Sequence, residues 1–389
     1  MIRAELESDN RTDIAPCFCG TDILHLHVPT VAPPLAMNTS LQSRLAFHLT
    51  RTACVLAIAF ATAARNTFAA PTPLPQGLDA AVSGGLDFLA AEQNSADGGF
   101  GPAGGPRLAT TGLSLLAFLA AGNVPDAGKY GSTVRSAIDF LTMQAPPDGY
   151  FGKVDNSRMY GQGIVTLALA EAYGVEDSME GRQKVSDVLT KAVKVILDAQ
   201  AVKKGEIYIG GWRYEPQSSD SDISLCGWNV LALRACKSAG MAVPREAVQA
   251  AVQFVIRCHS AQGGFGYQPG TPALSSTSGV GVLCLYLLGA AIRPEIVDSL
   301  KFLQEHPVDD SNIYLYDTIF YTTQAAFQAG EAAFSSIAYS NFKWLIKNQQ
   351  PDGGWPEPKG QEKGGRSYTT SLAILSLAVP YRLLPIYQR

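Results

Sequence analysis

The sequence predicts an all-α protein in which helical hairpins form two concentric rings, an α/α barrel. Three observations support this prediction: a turn with glycines and an aromatic residue recurs along the chain, an amphipathic segment precedes each turn, and an almost wholly apolar segment follows it. The unit recurs every roughly 40 to 60 residues, as expected of helical repeats that bury their apolar faces against their neighbours.

The clearest turn covers residues 348–355, which read Asn-Gln-Gln-Pro-Asp-Gly-Gly-Trp. Pro351 fixes φ, Asp352 favours an Asx turn, and the two glycines supply positive φ. Trp355 then follows the helix end, where its ring can cover the joint between neighbouring helices. Related turns end at Phe100, Phe151, Trp212 and Phe265, and a degenerate turn covers 306–314.

The segments on the two sides of the turns differ in polarity. Those before the turns carry charges on one side, such as Asp87, Asp139 and Lys343, which predicts amphipathic helices of an outer ring. Those after the turns are rich in Ala, Leu and Gly on nearly every side of the helix, which predicts buried helices of an inner ring. The predicted inner segments are 109–121, 161–173, 225–239, 279–290, 321–329 and 368–377.

The Gln-x₃₋₄-Gly-x-Trp/Phe turns resemble the QW repeats of squalene–hopene and oxidosqualene cyclases, and the six pairs resemble protein prenyltransferase β-subunits. The resemblance covers roughly residues 80 to 385 and implies an α/α toroid of the terpenoid cyclase and prenyltransferase/squalene oxidase repeat superfamily. It also implies a central apolar cavity for an isoprenoid or another lipid. The turn glutamines, interpreted as structural bridges to free carbonyls, are Gln93, Gln144, Gln200 and Gln349.

The N-terminal region predicts export. Residues 37–70 contain a basic stretch, an apolar core at 53–63 and small residues at two candidate cleavage sites, in the order of a secretory signal. The apolar core is too short to span a membrane, so we expect a periplasmic or secreted protein without a transmembrane span after cleavage. A disordered leader on a cytoplasmic protein is the alternative. We interpret 1–36 as a non-native upstream leader, 71–76 as a linker and 77–389 as one toroid domain with six repeats.

Composition limits the partners. The chain has 389 residues, of which 47% are hydrophobic and 16% charged, with a net charge of −4. No basic run or basic excess is present, so we expect no nucleic-acid partner.

Candidate chemistry lies where the predicted inner helices begin, at the mouth of the barrel. Residues 218–224 read Ser-Ser-Asp-Ser-Asp-Ile-Ser. Asp220 and Asp222 resemble the first two acids of the Asp-x-Asp-Asp motif of class II terpene cyclases, and Ile223 stands at the position of the third. By this resemblance, Asp222 would be the acid that protonates an alkene. This role requires a non-helical 218–222 segment, since residues two apart on a helix point to different sides. Alternatively, the carboxylates only cap the following helix.

Further candidates for substrate binding lie near other inner-helix starts. Aromatic rings there can stabilise a carbocation or line a lipid pocket, and the polar groups can also be helix caps. The candidates are Tyr160, Gln162, Trp228, Asp317, Tyr321 and Tyr368.

The sequence predicts neither a metal nor a cofactor. Zinc-dependent prenyltransferases use Asp, Cys and His ligands, but His259 and His306 follow outer segments and do not match the family's ligand position. We interpret Cys226 as a small core residue and expect free thiols in the mature region.

Two functions remain open. One is an isoprenoid enzyme resembling cyclases or prenyltransferases, which the repeat pattern favours. The other is a non-catalytic exported toroid that binds a lipid or a protein partner, which the incomplete acid motif and the export signal favour. Catalytic activity itself is left open.

Overall fold

The computed structural model describes residues 73–312, 314–358 and 364–388. These residues lie in the compact unit Ala69–Arg389. The predicted upstream leader and signal peptide, at 1–36 and 37–70, lie outside the described residues, as does the start of the predicted linker.

Twelve α-helices of ten or more residues follow one another in the described part of the chain, which contains only isolated β-bridges and no strand. Odd-numbered helices are outer and even-numbered helices are inner. They are α1 (Leu78–Glu92), α2 (Arg107–Ala120), α3 (Gly131–Met143), α4 (Arg158–Val175), α5 (Met179–Ala201), α6 (Ile223–Ser238), α7 (Arg245–Arg257), α8 (Ser275–Leu287), α9 (Pro294–Glu305), α10 (Leu315–Ala329), α11 (Tyr339–Asn348) and α12 (Gly365–Leu377).

The inner helices form a closed ring. Helix α2 contacts α4, and contacts continue through α6, α8, α10 and α12 back to α2. All residues of α2 after Arg107 are buried, whereas α5 buries a single face spaced by three or four residues. This pattern matches buried inner and amphipathic outer helices. The α/α toroid predicted from the repeats is therefore confirmed.

The repeat glutamines join neighbouring hairpins. The Gln349 side-chain amide donates to the carbonyl oxygen of Gly353 in its own turn, at 2.7 Å, and to that of Ala81 in α1, at 2.8 Å. It thereby connects the last turn to the first outer helix and closes the ring. The equivalent bonds run from Gln93 to Gly98 and Thr133, and from Gln200 to Gly210 and Ala247.

The second repeat uses a different glutamine. Gln144 is exposed, and Gln162 of α4 takes its place. The Gln162 amide donates to Gly149 at 3.0 Å and Ala192 at 3.1 Å, and its oxygen accepts from the Phe151 backbone N–H at 2.8 Å. The bridging role predicted for Gln144 is therefore wrong. Gln162 forms the structural joint, and its amide is fully occupied there.

The turn aromatics are buried in the joints. Trp355 donates its indole N–H to the Leu345 carbonyl at 2.8 Å, and Trp212 does the same to Ile196 at 2.8 Å. A buried indole N–H needs such an acceptor. The rings with 0% exposure are Phe100, Phe151, Trp212, Phe265 and Trp355.

The C-terminal segment covers the end of the ring where the inner helices finish. Tyr387 donates to the Leu375 carbonyl of α12 at 3.1 Å, and Gln328 of α10 donates to the Ile386 carbonyl at 3.3 Å. The Pro385–Tyr387 turn also contacts α6. Among the described helices, we find none with the length and apolar character needed to cross a bilayer.

Candidate functional site

The inner helices all begin at the same end of the toroid, because each outer helix reverses direction through its turn. We call this end the mouth. Two carboxyl groups predicted from the sequence, Asp222 and Asp317, lie here in different surroundings.

Asp222 is the N-cap of α6. Its backbone is extended, with φ of −137° and ψ of 160°, so the segment before α6 is not helical. One carboxylate oxygen, Oδ1, accepts from the Leu225 backbone N–H at 3.0 Å and the Ser224 hydroxyl at 2.6 Å. The alternative that Asp222 caps this helix is therefore confirmed.

The other oxygen of Asp222 faces Arg213. Oδ2 accepts from the Arg213 guanidinium at 2.6 Å and the Tyr267 hydroxyl at 3.0 Å, and the Asp222 side chain is 0% exposed. Arg213 also pairs with Asp220 at 3.0 Å. Its guanidinium carbon lies 4.5 Å from the Tyr214 ring centre and 5.5 Å from that of Tyr267. One arginine thus holds both acids of the predicted motif.

This arrangement suits a structural carboxylate. Each carboxyl oxygen of Asp222 accepts two hydrogen bonds, and one of these four bonds comes from the Arg213 guanidinium. Both oxygens are therefore occupied by protein donors, as expected of a carboxylate that holds a helix start in place.

Asp317 is held differently. Helix α10 begins at Leu315, earlier than predicted, so Asp317 lies in its first turn on the same face as Tyr321. Asp317 Oδ1 accepts from the Tyr368 hydroxyl of α12 at 3.1 Å. Enclosure by protein raises the pKa of Asp317 to about 6, against the smaller opposing effect of this hydrogen bond. The group can therefore be neutral or ionised near physiological pH.

Aromatic rings lie inside the ring of inner helices, one turn below Asp317. Trp228 of α6 stacks on Phe320 of α10, with ring centres 5.2 Å apart and planes at 9°. Tyr321 meets the Trp228 ring edge-on at 5.6 Å. A Cβ on Gly227 would lie 2.6 Å from the Tyr321 hydroxyl oxygen, so glycine is needed for this approach. These rings form the apolar floor of the mouth.

Two further tyrosines, Tyr321 and Tyr160, lie near the hydrogen-bonded pair of Asp317 and Tyr368. Tyr160 of α4 shares a 2.7 Å hydrogen bond with Ser224. Burial raises the pKa of Tyr160, Tyr321 and Tyr368 well above the usual range, so these hydroxyls are neutral. After burial, smaller contributions to the raised pKa of Tyr321 come from Asp317, Cys284, Tyr160 and Tyr368. We call Tyr160, Asp317, Tyr321 and Tyr368 the mouth cluster.

The structure thus separates the sequence-predicted residues into three groups. The first group is the mouth cluster, which lies above Trp228 and consists of Tyr160, Asp317, Tyr321 and Tyr368. Asp220 and Asp222 lie around Arg213, and Gln162 lies in the second joint. Sequence reasoning missed Arg213, Tyr214 and Tyr267, because an arginine and tyrosines in irregular turns carry no pattern that marks them as partners of a distant acid.

Two depressions stand out on the described residues, and neither contains a predicted site residue. An open cleft of about 530 Å³ is lined by Gln350, Pro351, Asp352, Pro356, Glu357 and Arg366. A crevice of about 20 Å³ lies between α9 and the segment before α11. Within the described ranges, no three His, Cys, Asp or Glu side chains are grouped to hold a metal ion. The four described cysteines are free and buried.

Sequence comparison identifies the family. The profile of the prenyltransferase alpha-alpha toroid domain matches residues 183–312 and 213–384, which together span more than half of the chain. The chain belongs to the prenyltransferase alpha-alpha toroid family. The matched residues begin within α5 and include four of the six inner helices, α6, α8, α10 and α12. No curated protein sequence matches the chain.

Solved structures share the toroid with very different sequences. The type II terpene cyclase MstE from Scytonema, without ligand, has a TM-score of 0.52 at 16% identity, covering 80% of this chain and 100% of that one. An inactive variant of the α-1,6-mannanase GH76A of Salegentibacter sp. HEL1_6, bound to α-1,6-mannotetrose, has a TM-score of 0.53 at 12% identity, covering 77% and 98%. Because a cyclase and a mannanase match equally well, these likenesses show the fold alone.

Proposed function

We propose that this toroid binds an apolar ligand of the isoprenoid class at its mouth. The ligand's polar end would meet Asp317 and its hydrocarbon chain would contact Trp228 and Tyr321. The observation that carries the proposal is a carboxyl group able to be neutral, placed directly above stacked aromatic rings at the inner-helix starts. Binding sites for small molecules combine apolar walls with a few convergent polar groups in this way.

The surroundings of the two acids favour binding over cyclisation. Protonation of an isolated alkene needs a strong acid positioned against the double bond. Asp222 is paired with Arg213, and the pKa of about 6 makes Asp317 a weak acid. We therefore expect squalene and geranylgeraniol to be recovered unchanged after incubation with the protein, as measured by gas chromatography. Cyclic products that disappear in an Asp222→Asn variant would instead establish the enzyme.

The binding proposal is tested by titrating geranylgeraniol into the protein and following tryptophan fluorescence. We expect saturable binding that Asp317→Ala weakens about tenfold, the loss expected when one hydrogen bond is removed. Asp352→Asn is the matched control, because Asp352 lies at the same end of the toroid but pairs with Arg366 away from the mouth cluster. Absence of saturable binding to the unmodified chain, or equal losses in both variants, would contradict the proposal.

We further propose that the protein is exported, which rests on the basic, apolar and small-residue order of residues 37–70. N-terminal sequencing of the mature protein is expected to start near residue 64 or 70. A soluble cytoplasmic chain that still begins at Met37 would contradict export.

A further inference from the structure

The mouth cluster contains a hydroxyl group that the protein leaves unpaired. Tyr321 is 3% exposed, and its hydroxyl has no hydrogen-bond partner among the described residues. Burying a polar group without a partner costs free energy, so such a group in a folded protein calls for an explanation. A ligand oxygen within reach of Tyr321 would supply the missing partner.

The neighbouring hydroxyls are oriented by their own partners. Ser224 donates its single hydrogen to Asp222, so Tyr160 must donate to Ser224, which leaves the Tyr160 lone pairs available. Tyr368 donates to Asp317 and likewise keeps its lone pairs. Tyr321 and a protonated Asp317 can donate, whereas Tyr160 and Tyr368 can accept. This set matches an uncharged oxygen group that both donates and accepts.

The arginines near the inner-helix starts are not available to an anion. Arg213 is shared between Asp220 and Asp222. The other three are each paired with a carboxylate: Arg107 with Asp97, Arg158 with Glu215 and Arg366 with Asp352. A diphosphate at the mouth would therefore face the Asp317 carboxyl and would have to displace an existing ion pair to gain a guanidinium.

We propose that the ligand of the mouth cluster is a neutral isoprenoid carrying a hydroxyl group, and not a prenyl diphosphate, with the unpaired Tyr321 hydroxyl as the group that selects it. This proposal rests on the proposed function, because it specifies the polar end of the same ligand. Tyr321 acts here as a specificity determinant, and no covalent step is involved.

Three probes of equal chain length test this: geranylgeraniol, geranylgeranyl diphosphate and the corresponding C20 hydrocarbon, each titrated into the full-length protein. We expect the alcohol to bind about tenfold more tightly than the hydrocarbon and the diphosphate to bind most weakly, in line with one or two hydrogen bonds. Tyr321→Phe should weaken alcohol binding about tenfold and change hydrocarbon binding less than about twofold. Tyr173→Phe, near the opposite end of α4, is the control and should change neither.

The outcomes separate the two proposals. If none of the probes binds, both the proposed function and this inference fail. If the hydrocarbon binds but the diphosphate matches or exceeds the alcohol, the ligand class is wrong while the binding function stands. If Tyr321→Phe weakens all three probes equally, or none, the hydroxyl does not select the ligand and the inference fails. Only a loss for the alcohol that the hydrocarbon does not share supports it.

Discussion

Replacing Glu171 with Gln is expected to raise the free energy of unfolding by about 4 kcal/mol at pH 9 and to change it little at pH 4. Glu171 lies near the end of α4, is 4% exposed, and has no hydrogen-bond partner of ordinary geometry on either carboxyl oxygen. Burial raises its pKa to about 8, and the Ile386 backbone offsets this only in part. The Glu171 carboxyl group, which lies beneath the C-terminal segment, is thus mostly neutral at physiological pH.

The direction of the pH effect follows from linkage. Because the folded pKa of Glu171 lies above the unfolded value, the neutral group contributes its full stability below the unfolded pKa of about 4.5, and this stability is lost as the pH rises toward about 8. Gln cannot ionise, so the variant should lack this loss. Urea unfolding midpoints measured from pH 4 to pH 9 check the expectation, and parallel curves for the two proteins would contradict it.

Glu176, just after the same helix, is the matched control for Glu171. Its hydrogen bonds to Arg135 lower its pKa. A lowered folded pKa contributes stability above the unfolded pKa, and that stability is lost as the pH falls. Glu176→Gln should therefore destabilise the protein at neutral pH and have less effect in acid, the opposite pH dependence from Glu171→Gln.

Replacing Arg213 with Met is expected to lower the free energy of unfolding by about 3 to 5 kcal/mol, because it leaves the Asp222 charge buried and unpaired. Met keeps an apolar side chain of similar reach but also loses the guanidinium contacts with the Tyr214 and Tyr267 rings. Arg366→Met is the control: its partner Asp352 has a side chain that is 51% exposed, so the loss should be at most about 1 kcal/mol.

A double-mutant cycle isolates the Arg213–Asp222 pair. Once Asp222→Asn has removed the charge, Arg213→Met should cost at least about 1.5 kcal/mol less than it does in the unmodified protein. Urea unfolding of the four proteins gives the cycle. Additive losses, or an Arg213→Met loss no larger than that of Arg366→Met, would mean that Asp222 does not depend on this guanidinium.

The toroid could be predicted from sequence because its signals are local and repeated. The apolar segment predicted at 225–239 is helix α6, Ile223–Ser238, and the turn aromatics are buried as expected. The shift from Gln144 to Gln162 could not be predicted, since two positions in one hairpin can reach the same carbonyls. A pattern in one repeat does not reveal which of them does so.

The candidate site was predicted in composition but not in arrangement. The degenerate fifth turn hid the start of α10, so the sequence did not show that Asp317 and Tyr321 share a helix face. The partner of Asp222 was equally hidden, because Arg213 precedes α6 within an irregular loop. The sequence motif therefore pointed to Asp222, whereas the raised pKa and the tyrosine partner, in place of an arginine, distinguish Asp317. Such distinctions depend on groups brought together from different hairpins.

A crystal structure of the protein with geranylgeraniol would show directly whether the mouth is the binding site. We expect the ligand at the mouth, with its hydroxyl within hydrogen-bond distance of Asp317 or Tyr321 and its chain against the Trp228 ring. Ligand density only in the surface cleft beside Arg366, or against Asp222 with the Arg213 pair broken, would contradict it.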